Sequence, residues 1–262
     1  MKPADVFAVL GREVAPVSLS DELCATYGAY DNSGIIADCG NEVSGVLFCL
    51  DLTSAAYQKA RALGYNLIVT HHPAIFTGIK SLSAERFSPT AALTRCLQGG
   101  ISVISMHLNF DAAPKGIDYY LMRGLGGEKE EALLNPLSEG GYGRVYSVAE
   151  QSFEDFCTRA AAEFSAKLCR FYDSGARVKK VASFCGAGTD EDSIAFAIAH
   201  NADTFVSADM KHHHISALRE AGLNVMEFTH YASEIYGFAR IYASIKDKIA
   251  VPSQLFEDSA MM

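Results

Sequence analysis

The feature that most constrains the fold is a series of short, continuous apolar runs in the first half of the chain. Three of them stand out, GVLFCLDLT (45–53), YNLIVT (65–70) and ISVISMH (101–107). Apolar runs of this length predict strands that are buried on both faces, as in parallel sheets. The first half is therefore expected to contain a parallel sheet rather than a sheet with one solvated face.

The segments between these runs have the pattern of helices. Residues 54–64 predict a helix with Ser54 as its cap and Gly64 as its stop, and a second helix is predicted over 88–98. Strands that alternate with helices along the chain predict a parallel sheet covered on both faces.

The Gly-rich and charged stretch 123–143 predicts a boundary between two subdomains, over 1–126 and 127–262. Beyond it we predict strands and helices at 144–149, 152–167, 169–175, 179–185, 190–201, 203–208, 213–221, 223–228 and from His230 onward. Two of these strands follow each other without a helix, which predicts a mixed sheet. The expected fold is α/β, with two α/β subdomains whose sheets are mixed or parallel and flanked by helices, and the final helix could pack back on the first subdomain.

Composition excludes several classes of protein. The chain has 22 Lys and Arg against 31 Asp and Glu, and the net charge of −9 disfavours binding to nucleic acid or to an anionic membrane. No segment reaches the roughly 18 apolar residues of a membrane span, and the N-terminal apolar run is too short for a signal peptide. Seven cysteines, none in a CxxC pair, favour reduced side chains and a cytoplasmic protein.

Seven of the eight histidines follow predicted strands. They are His71, His72, His107, His212, His213, His214 and His230, whereas His200 ends a predicted helix, where the helix dipole favours it. Ligands of open α/β sheets bind at the carboxyl ends of strands. This placement makes the clustered histidines candidates for a binding site.

His71 and His72 precede Pro73, which pushes His72 into extended geometry. Because successive side chains of an extended chain point to opposite sides, the two imidazoles are expected to serve two different ions of a neighbouring pair. The alternative is that one histidine is packed in the core and the other is exposed.

Two further histidines each have an acidic residue four positions later, His107 with Asp111 and His230 with Glu234. Thr229 is a natural cap, so His230 and Glu234 are expected on one face at the start of a helix. Taken singly, Asp111 could be a turn cap and His230–Glu234 a surface pair. One metal centre explains all three histidine elements together.

Imidazole with carboxylate suits Zn, Fe, Mn, Ni or Co. Asp111 and Glu234 bring a charge of −2 against +4 for two divalent ions, and the surplus predicts an anionic substrate. Paired ions lower the pKa of a bridging water and bind both the attacking and the leaving oxygen.

Other motifs are interpreted more simply. The segment 185–193 lacks the last glycine of GxGxxG and the lysine of a Walker motif, and its acidic first turn would repel phosphate, so Thr189 and Asp192 predict a capping box. His212 and His214 are interpreted as surface residues. His213 and Lys211 remain open as groups that contact either the substrate or the metal ligands.

The ordered motifs YDNSGI (30–35), VTHHPAIF (69–76), MHLNFDAAPKGID (106–118), ADMKHHHISALREAG (208–222) and THYASE (229–234) resemble those of the NGG-interacting-factor-three-like family. Members of this family of dinuclear-metal-centre proteins are often labelled GTP cyclohydrolase type 2 homologues. The resemblance implies a two-subdomain α/β fold, a two-metal site in the cleft between the halves, and a ring-shaped (toroidal) hexamer. By motif match the metal ligands are His71, His72, Asp111, His230 and Glu234, with Glu234 as the bridge and His107 as a neighbour or additional ligand. Tyr30 stands where the family usually has tryptophan.

The leading functional hypothesis is a metal-dependent hydrolase of a small anionic substrate, such as a nucleotide or a phosphoester. His107 or His213 would move protons in this reaction. The rival hypothesis is a non-enzymatic scaffold that delivers metal or regulates other proteins. Nucleic-acid binding comes third, because the charge disfavours it.

Overall fold

The computed structural model describes residues 1–86, 88 and 90–261 and divides into two compact units. Unit 1 comprises Met1–Phe110 and Phe238–Glu257, and unit 2 comprises Asp111–Gly237 and the residues from Asp258 on. The boundary between 126 and 127 stays a prediction.

The described part of unit 1 contains a five-stranded sheet in the order β1-β4-β3-β2-β11. Its strands are β1 (Gly34–Ala37), β2 (Val46–Cys49), β3 (Leu67–Thr70), β4 (Ser102–Ser105) and β11 (Ser253–Leu255). All neighbouring pairs are parallel except β1 with β4. The helices are α1 (Pro3–Glu13), α2 (Ser18–Tyr27), α3 (Ser54–Leu63) and α4 (Ala91–Gln98). The three predicted strands are confirmed as its parallel centre.

Local signals set the ends of α3. Gly64 adopts a left-handed conformation with φ 71°, which confirms it as the stop. The predicted cap, Ser54, is wrong by one residue. Thr53 is extended, and its hydroxyl accepts a hydrogen bond from the Ala56 amide at 3.1 Å, so α3 begins after it. For the helix predicted over 88–98, position 89 lies outside the described residues.

The described part of unit 2 contains a six-stranded mixed sheet in the order β5-β6-β8-β9-β10-β7. Its strands are β5 (Ala132–Pro136), β6 (Gly141–Gln151), β7 (Cys169–Tyr172), β8 (Val178–Ser183), β9 (Thr204–Ala208) and β10 (Asn224–Phe228). The helices are α6 (Ile117–Gly124), α7 (Phe153–Glu163), α8 (Glu191–Ala199) and α9 (His212–Glu220). Only β8-β9 and β9-β10 are parallel. The predicted mixed sheet is confirmed, and with it the α/β class with two sheets flanked by helices.

Two helices contain two of the three points at which the units divide. The short α5 (Leu108–Ala112) includes the division after Phe110, and α10 (His230–Ile245) includes the division after Gly237. A 3-10 helix over Lys246–Lys248 follows α10. The Thr229 hydroxyl accepts the Ala232 amide at 3.1 Å, so the predicted cap of α10 is confirmed.

Strand register places the chemically interesting residues at one edge of each sheet. In unit 1, Cys49 pairs with Thr70 and Thr70 with Ser105, so β2, β3 and β4 end side by side. Histidines and aspartates follow directly after these ends. Across the described residues, no helix is both long and apolar enough to cross a membrane.

Candidate metal centre

Unit 1 brings three histidines together at the carboxyl edge of its sheet. The ring of His71 lies 4.8 Å from that of His72 and 5.1 Å from that of His107, and the last two rings are 5.7 Å apart. One ring nitrogen of each histidine lies within 4.8 Å of a ring nitrogen of the other two. His71 is fully buried, and the other two are half-buried. We call these residues the unit 1 cluster.

Backbone hydrogen bonds from the neighbouring strand end hold the first two histidines. The amide of His71 donates to the Cys49 carbonyl at 3.1 Å, and the amide of His72 donates to the Leu50 carbonyl at 2.9 Å. Because β3 ends at Thr70, the alternation of a strand does not continue through this bend. The prediction that the two rings point to opposite sides is therefore wrong, since their centroids are only 4.8 Å apart.

Each histidine of the unit 1 cluster binds an oxygen through Nδ1. The partners are the Met106 carbonyl for His71 (3.0 Å), Asp51 for His72 (2.8 Å) and Asp31 for His107 (2.9 Å). A carbonyl or an ionised carboxylate only accepts, so Nδ1 carries the proton. Neutral imidazole then has its lone pair on Nε2, the atom that can bind a metal.

Asp31 is held in its ionised form. Burial raises its pKa, but hydrogen bonds from His107, Ser20 and Ser33 outweigh burial and lower the pKa from 3.8 to about 2. Asp31 lies within the motif YDNSGI, but the sequence alone predicted no role for it. Its carboxylate orients the His107 ring.

The folded state should lose a stabilising interaction when Asp31 is protonated. The depressed pKa means that this contribution is present above about pH 4 and is lost as the pH falls toward about 2. We expect Asp31→Asn to lower the urea midpoint at pH 6, and we expect the gap to the natural protein to narrow by pH 3. An equal gap at both values would contradict this account.

Unit 2 places the other histidine-and-acid pair at the start of α10. Nε2 of His230 lies 3.0 Å from Oε1 of Glu234, one turn later, and Nδ1 of His230 lies 2.7 Å from Oδ2 of Asp209. Glu234 is 2% exposed. Asp209, which directly follows β9, has the same relation to His230 that Asp51 has to His72. His230, Glu234 and Asp111 are called the unit 2 cluster.

A glycine in the loop after β8 makes room for this pair. The Gly186 carbonyl accepts the Ala208 amide at 3.1 Å, and its amide donates to the Ser233 hydroxyl at 3.0 Å. A Cβ at Gly186 would overlap Oε1 of Glu234 and lie 3.2 Å from Nε2 of His230. The backbone φ of Gly186 is +60°, a conformation that also favours glycine. No feature of the sequence predicted this role of Gly186.

Asp111 lies in a buried polar environment. It is 4% exposed, and the Cys185 thiol donates to its Oδ1 at 3.4 Å. Burial, followed by the charges of Asp111, Asp118 and Glu234, raises the pKa of the Cys185 thiol well above its usual value. Cys185 is therefore a protonated donor. All seven cysteines, each among the described residues, are free, as predicted.

A buried ion pair anchors the loop that contains Cys185 and Gly186. Both carboxylate oxygens of Asp118 accept backbone hydrogen bonds, from Cys185 at 3.2 Å and from Gly143 at 3.0 Å, and Nε of Arg144 lies 3.0 Å from Oδ2. Burial raises the pKa of Asp118 to about 6, although Arg144 and the two amides act in the opposite direction.

The run of three histidines begins α9. His212 and His213 are exposed, whereas His214 is 6% exposed, so the interpretation of His214 as a surface residue is wrong. His214, Ile215 and Leu218 all lie on the buried side of the helix. Residues one and four positions after His214 are on the same side of a helix as His214 itself. The ring of His213 contacts the ring of His214 at 4.2 Å.

The capping box of α8 is displaced by one residue from the prediction. Asp190 and Ser193 form it, rather than Thr189 and Asp192. Asp190 is the last extended residue before the helix, with φ −143°, and only that conformation directs a side chain at the free amides. His200 ends α8, as predicted.

The carboxylate behind His230 should affect metal affinity. We expect Asp209→Asn to weaken binding of Zn²⁺ or Mn²⁺ about 10- to 100-fold, because the amide no longer fixes the tautomer and orientation of His230. Asp247→Asn, an exposed change far along the chain, is the control. Competition with a chelator measures the metal affinity of both variants. Equal affinities in the two variants would refute this role of Asp209.

Comparison with known proteins identifies a family. A family model described as Duf34/NIF3 (NGG1p interacting factor 3) matches residues 13–257. This match confirms the family resemblance drawn from the sequence motifs.

Curated relatives match over nearly their full length. A Helicobacter pylori protein named GTP cyclohydrolase 1 type 2 is 30% identical over 242 residues, covering 92% of this chain and 90% of that protein. A Clostridium perfringens protein named GTP cyclohydrolase 1 type 2 homolog is 26% identical over 254 residues, covering 95% and 93%.

Solved structures share the fold. A Staphylococcus aureus hypothetical protein superimposes with a TM-score of 0.83 at 24% identity, over 98% of this chain and 97% of that one. A Bacillus cereus protein related to NIF3 gives a TM-score of 0.82 at 18% identity, over 100% and 98%. At these identities the likeness concerns the fold alone.

Proposed function

Because this chain belongs to the Duf34/NIF3 family, we propose that it binds two divalent metal ions and hydrolyses a small anionic substrate, such as a nucleotide or a phosphoester. The observation that carries the proposal is the shared state of four imidazoles, those of His71, His72, His107 and His230. Each uses Nδ1 to bind an oxygen, at 2.7–3.0 Å. This is the usual arrangement of histidines that bind metal through Nε2.

The donor atoms fit the ions that the sequence analysis proposed. Neutral imidazole nitrogen and carboxylate oxygen suit Zn, Fe, Mn, Ni or Co. Gly186 supports the fit, because it leaves the space beside Nε2 of His230 and Oε1 of Glu234 without a side chain.

We propose that the unit 1 and unit 2 clusters hold the same pair of ions, in the cleft that the family resemblance implies. The continuity of α10 supports this assignment. The Phe238 ring lies 6.1 Å from the His71 ring within unit 1, and Glu234 precedes Phe238 by one helical turn on the same face.

The short helix α5 also supports the proposal that the two clusters hold the same pair of ions. Phe110 belongs to unit 1 and its ring lies 6.5 Å from that of Phe238, while Asp111 is the next residue. His107 precedes Asp111 by one turn, and its carbonyl accepts the Phe110 amide at 2.8 Å. Chain geometry thus favours Asp111 close to the unit 1 cluster.

The residues then have distinct roles. When bound, a pair of divalent ions supplies an activated water and stabilises charge on the attacking and leaving oxygens. Glu234 would bridge the two ions, and Asp111 with the histidines would complete their coordination. Among the proposed ligands themselves, the two carboxylates contribute −2 against +4 from two divalent ions, so an anionic group of the substrate could complete the coordination. His107, if it is not a ligand, and His213 are the proposed proton carriers.

A screen for hydrolysis tests the function. Protein loaded with Mn²⁺, Zn²⁺ or Fe²⁺ would be assayed against nucleotides and phosphodiesters, beside Glu234→Gln and the exposed control Glu220→Gln. Turnover that is lost in Glu234→Gln and kept in Glu220→Gln supports a hydrolase. Transfer of metal to an acceptor protein without turnover of any substrate would instead favour the scaffold hypothesis.

The family resemblance also leads us to propose a toroidal homohexamer. Light scattering of the purified protein tests this, because a hexamer has about six times the 28.2 kDa of one chain. A monomeric mass would reject it.

A further inference from the structure

Two aromatic side chains are exposed beside the unit 1 cluster. Tyr30 is 61% exposed and Phe76 is 47% exposed, and their rings meet edge to face at 5.3 Å with an interplanar angle of 88°. The Phe76 ring also meets the His107 ring edge to face, at 6.2 Å. Single exposed apolar side chains are common, but two exposed rings in contact with each other beside the unit 1 cluster favour a ligand surface.

Hydrogen bonds join the segments that carry these rings to the cluster itself. The Asn32 side-chain amide donates to the Ile75 carbonyl at 2.6 Å and so connects the two segments. The Ser33 hydroxyl accepts the His107 amide at 2.9 Å, and the Ser105 hydroxyl accepts the Ala74 amide at 3.2 Å. The rings are therefore held in a fixed relation to His107.

A pocket of about 300 Å³ opens beside Tyr30. It is lined by Val17, Asp21, Cys24, Ala29, Tyr30, Asp31, Asn32 and Ser33. Asp21 is exposed, and its carboxylate can only accept hydrogen bonds. The pocket thus favours a ring that carries N–H donors on its edge.

We propose that Tyr30 and Phe76 form a platform for a nitrogen heterocycle with N–H donors, which stacks on the face of one ring and meets the edge of the other, and whose attached anionic group reaches the metal ions. This inference rests on the proposed function and narrows its substrates to nucleotide-like molecules. Stacking suits such ligands because every heteroaromatic base has a π-face, which can pack against the face of an aromatic side chain. Simple phosphoesters without a ring would bind through the metal ions alone.

The chain contains no tryptophan, so Tyr30→Trp creates a single fluorescent reporter on the platform. GMP is expected to quench its fluorescence, and ribose 5-phosphate is not. Phe171→Trp, at an exposed position on β7 of unit 2, is the matched control and should respond to neither. Quenching of both reporters, or of neither, would overturn the platform.

Affinity separates the platform from the metal site. In metal-loaded protein, Tyr30→Ala is expected to raise the Kd of GMP at least about fivefold and to leave the Kd of ribose 5-phosphate unchanged. Equal losses for both probes, or an altered molecular mass in place of an altered Kd, would overturn the proposal.

Guanosine, which lacks the anion, reports on the platform alone: if it binds while ribose 5-phosphate does not, the proposed anion site fails and the platform stands. If ribose 5-phosphate binds as tightly as GMP, the platform fails and the anion site stands.

Discussion

Replacing Gly186 by alanine is expected to lower the affinity for Zn²⁺ or Mn²⁺ by at least about 100-fold, more than the loss of an outer carboxylate causes. The added Cβ would overlap Oε1 of Glu234 and come into close contact with Nε2 of His230, so both proposed ligands must move. Metal affinity by chelator competition measures the effect, and circular dichroism checks that the fold persists.

Gly175→Ala is the matched control. Gly175 also has a positive φ, +84°, but no atom lies within 4 Å of the position of its Cβ. Both variants therefore strain the backbone, and only Gly186→Ala obstructs the unit 2 cluster. Similar losses of metal affinity in the two variants would show that backbone strain alone is responsible, and the role of Gly186 would be withdrawn.

Replacing Arg144 by methionine is expected to destabilise the protein by about 3–5 kcal/mol. Arg144 is 1% exposed, and its guanidinium compensates the fully buried Asp118, which also receives the amides of Cys185 and Gly143. Without Arg144 a carboxylate remains buried without its counter-charge. Urea unfolding at pH 7 measures the loss.

Arg177→Met is the control for this substitution. Arg177 pairs with Glu150 in the same unit, but both side chains are about half exposed, so the loss should be much smaller than for Arg144→Met. Because burial already raises the pKa of Asp118, lowering the pH should neutralise it and reduce the cost of Arg144→Met. Equal costs for the two arginines, or a larger cost at pH 5, would contradict the account of this ion pair.

The strands of unit 1 that the sequence predicted are those with continuous apolar runs. β2, β3 and β4 are buried along their whole length, so their runs are easily recognised. β11 has the polar sequence SQL and β1 is partly exposed, and both are strands because a neighbour offers a ladder of hydrogen bonds. Such pairing is tertiary information that a short segment does not contain.

The site residues divide in the same manner. Histidines and acids with spacing of one or four along the chain could be proposed, because strand ends and helical turns bring such neighbours together. Asp51 and Asp209 had a weaker signal, since Asp51 lies near the end of a predicted strand and Asp209 directly follows another. Gly186 had none, because its importance depends on a distance to residues more than forty positions away.

The central claim is that both clusters hold one pair of ions, and crystals of metal-loaded protein test it most directly. Anomalous scattering at the metal edge, with elemental analysis of the same sample, should give two ions per chain. The expected ligands include His71 from one cluster and Glu234 from the other, and His71→Ala or His230→Ala should lose metal. Ions bound elsewhere, or full metal content in both variants, would contradict the account.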